Sequence, residues 1–172
     1  MSKKQVIYRI CITAVFVCIA VIANRFLSFN VWNLSLGFSF LPVLICAFVL
    51  GPIYGGICGG LADLIGAVLF PFGPFFPGFT VTATISGFLF GLIKKDGSKN
   101  AFILSALLVF LVEEILCTVV LNSLWISVLY GSEFIPVLVT RLPKAAAMFV
   151  LEIFFCFIIK NHILSPIRKM LR

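Results

Sequence analysis

The chain has 172 residues, of which 62% are hydrophobic, 20 are Phe and only 11% are charged. Soluble domains carry about 25% charged residues, so this composition excludes a soluble globular domain. It leaves no room for an ATPase domain, and no G-x-x-x-x-G-K-[ST] pattern occurs.

A membrane-spanning helix needs about 20 residues, fewer when neighbours shield its ends. Six are read in chain order. The first covers about Val6–Leu27 and the second about Leu36–Leu50. Gly51-Pro52 turns the chain into the third, about Ile53–Leu69. A loop rich in Pro, Gly and Phe, Pro71 to Gly78, leads to the fourth, about Phe79–Ile93. After a polar turn, Lys94 to Lys99, the fifth covers about Ala101–Leu121 and reaches toward Tyr130. The sixth is about Ile135–Ile159. The expected fold is an all-α integral membrane protein, one six-helix domain over residues 1–172.

The net charge of +7 does not indicate nucleic acid. Ten of the 13 basic residues form three clusters bordering long apolar runs: Lys3, Lys4 and Arg9; Lys94, Lys95 and Lys99; and Lys160, Arg168, Lys169 and Arg172. The positive-inside rule puts each cluster in the cytoplasm. Six spans satisfy all three at once, with both termini inside and connections about 25–37, 70–78 and 122–135 outside. The N-terminal run lacks a small-x-small cleavage site before Arg25 and is read as a helix, not a signal peptide. No internal repeat points to an inverted-repeat transporter.

Gly51, Gly55 and Gly59 recur at spacing four in the third helix, with Gly56 and Gly60 beside them, and allow close helix approach. Cys11, Ala14 and Cys18 make a small-residue stripe on the first helix, suited to internal packing or to another membrane subunit. The six cysteines lie in apolar runs without a C-x-x-C pair and read as small hydrophobes. His162 reads as an inert interfacial residue.

Between Arg25 and Lys94, 68 residues carry one charge, Asp63. A carboxylate at the centre of a membrane helix costs about 2.5–3.5 kcal/mol on insertion scales. Such a residue is kept when it faces a bundle interior, pairs, or binds something. Asp63 lies roughly 15 Å above the cytoplasmic start of its helix. There it suits the donor edge of an amino-heterocycle, and an ion pair with Arg25 or Arg141 is the rival reading.

Three basic residues stand outside the clusters. Arg25 ends the first helix, and Arg141 and Lys144 share a face near the outer start of the sixth. Glu133 is the only acid in the last outer connection. This excess of positive charge suits an anion, above all a carboxylate gripped by Arg; the alternative is snorkelling to lipid headgroups. Asn30, Trp32, Asn33, Thr80, Thr82, Asn122, Ser123, Trp125 and Tyr130 map to the outer ends. The Trp and Tyr residues among them fit either an interfacial belt or a stacking platform. Glu113 and Glu114 are adjacent on the fifth helix and point about 100° apart, so at most one is expected to face a given partner. With Glu152 they are either structural polar contacts or a proton path. The chain offers no metal constellation, no G-x-S-x-G and no His near a Ser or Cys, so an enzyme is a poor fit and no cofactor is expected. An outward-facing pocket for an anionic aromatic solute fits better.

The run Gly37 to Pro42, then Gly51-Pro52, then Gly55 to Asp63, resembles the S components of energy-coupling factor (ECF) transporters. Pro71 to Thr80, Leu121-Asn122-Ser123-Leu124-Trp125, Leu129-Tyr130-Gly131 and Thr140-Arg141-Leu142 resemble the folate-specific branch. The resemblance implies a six-helix protein of the bacterial plasma membrane that captures folate or a reduced folate from outside. It implies association with a T subunit and two cytoplasmic ATPases. The family's docking pattern on the first helix is Ala-x-x-x-Ala, and here Cys18 follows Ala14. The substrate-binding candidates are Arg25, Asp63, Thr80, Asn122, Trp125, Arg141 and Lys144; the partner-binding candidates are Ala14 and Cys18. An S component for another anionic vitamin, or a membrane scaffold without a ligand, is the competing reading.

Overall fold

The computed structural model describes residues 3–26, 28–31, 34–71, 73–94 and 98–160. Trp32, Asn33, Lys95, Asp96, His162, Arg168, Lys169 and Arg172 lie outside the described residues, as does the side chain of Asn30.

Apolar runs become helices because a helix satisfies its own backbone in lipid. Helix α1 is Lys3–Phe26, α2 Phe40–Leu50, α3 Pro52–Leu69 and α4 Pro77–Phe90. Helix α5, Lys99–Glu113, runs through a π-helical segment, Glu114–Leu121, into α6, Asn122–Tyr130; α7 is Phe134–Ile159. The stretch α5–π–α6 is one continuous 32-residue rod, so six apolar rods make up the bundle. Four are long enough to cross a bilayer. The 11-residue α2 and 14-residue α4 reach about 16 and 21 Å, short of a hydrocarbon layer of about 30 Å. Neighbours enclose α2, where Val43, Leu44, Cys46, Ala47 and Phe48 are all buried, while α4 keeps Val81 and Phe88 exposed.

The outward faces are apolar instead of polar. Ile10, Ile57, Leu61, Leu104, Leu108, Val150 and Phe154 are among the exposed large side chains. That is the surface of a helix bundle solvated by lipid.

Several boundaries differ from those expected, and three of the differences have a visible cause. The second helix begins at Phe40, not Leu36, because Leu34–Gly37 (β2) pairs antiparallel with Ser28–Val31 (β1). This hairpin satisfies backbone groups that a bare loop would leave open. The fourth helix ends at Phe90, not Ile93; a Cβ on Gly91 would collide with Pro52, so the turn after α4 is pressed onto the start of α3. The last outer connection is not 122–135 but 131–133, since helix continues to Tyr130 and stops at Gly131 in the left-handed conformation, φ +63°.

The chain ends and turns sort to two poles. At one, the Arg9 guanidinium lies 5.7 Å from the Tyr54 ring centre, and Lys160 Nζ 3.5 Å from that of Phe102. The N-terminus, the α2–α3 turn, the α4–α5 connection and the end of α7 therefore share a basic pole. The opposite pole carries the hairpin, the Pro71–Phe76 connection and residues 131–133; there Phe26 and Phe70 meet edge to face at 5.9 Å.

Helices α3 and α4 form the tightest pair. A Cβ on Gly55 would strike the Gly87 carbonyl and the Ala47 side chain, and one on Gly59 the Ala83 carbonyl. These glycines bring the two backbones into direct contact. Gly51 does something else: its φ of +101° makes the turn before α3.

Candidate functional site

The described residues enclose a cavity of about 210 Å³ in the middle of the bundle. Every helix except α6 contributes to its wall. Asn24, Gly37 and Ser39 border it toward the hairpin pole, while Phe40, Val43, Phe90 and Met148 give it apolar walls.

Its polar lining is unusual for a lipid-solvated bundle. Asp63, Glu113, Glu114 and Glu152 are the four acids that lie within the described helices and the π-helical segment, and all four line this cavity, together with Lys144. Burial of a carboxylate is costly unless it is bonded or paired. Asp63 Oδ2 accepts a 2.8 Å hydrogen bond from the Thr80 hydroxyl, and its charge interacts with that of Arg25. The Arg25 guanidinium lies over Gly66, where a Cβ would come within 2.9 Å of Nε. Glu113 Oε1 accepts a 2.7 Å bond from Ser86 on α4. The charge of Lys144 acts on both Glu113 and Glu114.

Glu113, Glu114 and Glu152 each place a carboxylate oxygen within 4.8 Å of the others. The expectation that at most one of Glu113 and Glu114 faces a given partner is therefore corrected. The physical reason is side-chain reach: the backbone at Glu113 (φ −60°, ψ −51°) and Glu114 (φ −63°, ψ −43°) is α-helical, and two long Glu side chains leaving the helix about 100° apart can still end in one cavity. Both side chains are buried, 5% and 4% exposed, as is Glu152 at 3%. This is the feature that helical periodicity alone misses. Its only signal in the sequence is that three Glu residues persist in long apolar runs.

The other candidates take distinct places. Lys144 lines the cavity; Arg141, three residues earlier, is buried and donates from Nη1 to the Thr118 carbonyl at 3.4 Å. Arg141 thereby ties α7 to the π-helical segment, two residues before Pro143, which lies inside the continuous helix α7. Trp125 stands outside the cavity lining. Its indole N–H donates to the Thr82 hydroxyl at 2.9 Å, which donates to the Gly78 carbonyl at 3.0 Å. Its ring lies 5.6 Å from that of Phe76, and Gly78 leaves the space for it. Trp125 thus fastens the Pro71–Phe76 connection and the start of α4 to α6. Asn122 opens α6, half-buried, and is not among the lining residues. Ala14 and Cys18 lie on the exposed side of α1, in line with Cys11.

Comparison with known proteins bears on this arrangement. A family model described as "ECF transporter, substrate-specific component" matches residues 8–168. The chain is 32% identical over 136 residues to a protein of Clostridium novyi named folate transporter FolT, covering 79% of this chain and 78% of that one. It is 28% identical over 142 residues to a protein of the same name from Leuconostoc mesenteroides, with 79% and 76% covered. Among solved structures, one titled "Crystal structure of FolT bound with folic acid" superposes with a TM-score of 0.80 at 27% identity, over 93% of this chain and 94% of that one. The S component of a bacterial ECF transporter superposes with a TM-score of 0.60 at 22% identity, over 90% and 96%, and shares the fold.

Proposed function

This chain belongs to the family of ECF-transporter substrate-specific components, and from that premise we propose that it captures folate in the cavity between its helices. It is a multi-pass membrane protein and not an enzyme. The observation that carries the reading is the cavity itself, where four acids and Lys144 converge in a bundle whose buried side chains are mostly apolar. Folate matches it in kind. Its pterin offers ring and amino donors, its middle is a flat aromatic, and its glutamate tail carries two carboxylates. The similarity to proteins named folate transporter FolT supports the same ligand over another anionic vitamin.

The proposed contacts follow from charge and position. Arg25, beside Asp63 near the hairpin pole, takes a tail carboxylate; Arg141 and Lys144 add positive charge from α7. Asp63 and Thr80 border the ligand where α3 meets α4. Asn122 and Trp125 support the site from α6. The hairpin pole faces outward and both termini lie in the cytoplasm, as the basic pole requires. The exposed Ala14 and Cys18 face of α1 meets the T subunit, which with two cytoplasmic ATPases powers uptake.

Calorimetric titration of the purified chain tests the ligand. One folic acid per chain is expected. Absence of folate binding, with another anionic vitamin bound instead, would overturn the reading.

A further inference from the structure

Three acceptor oxygens in the cavity stand out. Oε2 of Glu113, of Glu114 and of Glu152 are each buried and have no protein hydrogen-bond partner. They come from residues that are at least 95% buried and that all line the same cavity. A buried acceptor without a partner costs about 1–3 kcal/mol, more when charged, and three at one place call for a common explanation. By contrast, Asp63 is engaged by Thr80 and by the charge of Arg25.

We propose that Glu113, Glu114 and Glu152 form the floor that reads the heterocycle of the ligand, accepting hydrogen bonds from its adjacent ring N–H and exocyclic amine, while Lys144 donates to the neighbouring ring carbonyl. This rests on the folate reading and adds which groups discriminate the ring. The count of groups agrees: an amino-oxo-pyrimidine edge presents three N–H hydrogens on neighbouring atoms, and the floor presents three acceptor oxygens on three side chains. The edge also presents one carbonyl oxygen, and Lys144, the cation among the described residues that line the cavity, can donate to it. Glu113 ends α5 and Glu114 opens the π-helical segment, and both side chains reach the same cavity. Phe40, Val43, Phe90 and Met148 supply apolar walls for a ring. At about 210 Å³ the cavity is smaller than the about 300–1,000 Å³ of pockets that take a whole drug-sized ligand. It suits one fused ring system, with the rest of the molecule extending toward the hairpin pole. A divalent cation is the competing occupant, since oxygens at this spacing can converge on one. Lys144 disfavours it: its charge acts on Glu113 and Glu114 and would repel a metal ion there.

The test compares pterin-6-carboxylate with its 2-oxo counterpart, a lumazine, on the purified full chain in detergent. The lumazine replaces the exocyclic amine by an acceptor and so meets the carboxylates lone pair to lone pair. The unaltered protein is expected to prefer the pterin by about ten- to a hundred-fold. Glu113→Gln and Glu152→Gln, checked for a monodisperse fold, are expected to lose most of that preference. Equal binding of pterin and lumazine by the unaltered protein would overturn the proposal without any variant. So would variants that keep the full preference. Pterin binding that is lost in chelator and restored by Ca²⁺ or Mn²⁺ would overturn it too, assigning the triad to a metal. If the unaltered protein binds no folic acid, the folate reading itself fails; if it binds folic acid but does not discriminate the rings, only this inference fails.

Discussion

The Thr80 hydroxyl donates a 2.8 Å hydrogen bond to Oδ2 of Asp63, joining α4 to α3 at the cavity wall. With the charge of Arg25 acting on the same carboxylate, Asp63 is better placed to orient Arg25 than to meet a heterocycle edge alone. Asp63→Asn keeps the shape and removes the charge. Folate affinity is expected to fall about ten-fold, while a pterin lacking the glutamate tail binds nearly as before. Equal weakening of both ligands in calorimetry would place Asp63 on the ring. Thr80→Val should act in the same direction and more weakly, about two- to ten-fold.

Arg25 and Arg141 are the proposed carboxylate partners. Loss of a charge-assisted contact costs about 1.5–3 kcal/mol, or about ten- to a hundred-fold in affinity. Calorimetry on Arg25→Ala and Arg141→Ala should show losses of that order. Arg141→Ala should also unfold at lower temperature, because the Thr118 carbonyl loses its donor. Unchanged affinity in both variants, with folding intact, would remove them from the site.

The proposed orientation rests on the positive-inside rule applied to the basic pole. Ser98 sits there, capping α5 by accepting from the Ala101 N–H at 3.2 Å. A cysteine introduced at Ser98, in a background with Cys11 and Cys18 replaced by Ala, should react with an impermeant maleimide only from the cytoplasmic side. Labelling from outside would invert the assignment of both poles.

The exposed stripe on α1 makes a separate prediction. Cys11 and Cys18 are both exposed on this helix, as is Ala14 between them. Ala14→Trp should leave folate binding within about two-fold, since surface substitutions usually change free energies by less than about 0.5 kcal/mol. It should abolish folate uptake by cells that carry the T subunit and ATPases, because a bulky ring prevents close helix approach. Uptake that survives would put the docking face elsewhere.

Much of this was legible in the sequence because lipid imposes few solutions. Apolar runs had to be helices, and the basic clusters fixed the parity of six rods. Asp63 and Lys144 could be singled out as charges in apolar surroundings, and both line the cavity. The hairpin at 28–37 was not legible, since its pairing depends on backbone register and not on an apolar pattern. Nor was the convergence of Glu113 and Glu114 on one cavity, because periodicity gives the direction in which a side chain leaves a helix and not where a long side chain ends. Trp125 reads as a stacking residue from its place near the outer end, yet it is engaged by Thr82 and Phe76. Contacts between distant segments of that kind leave no local trace in a sequence.

The most direct test of the central claim is a structure of this chain with folic acid bound. The account predicts the pterin in the cavity between α3, α4, α5 and α7, with the glutamate tail directed to Arg25 and the hairpin pole. Folic acid bound outside that cavity, on the lipid-facing surface or at the basic pole, would contradict it.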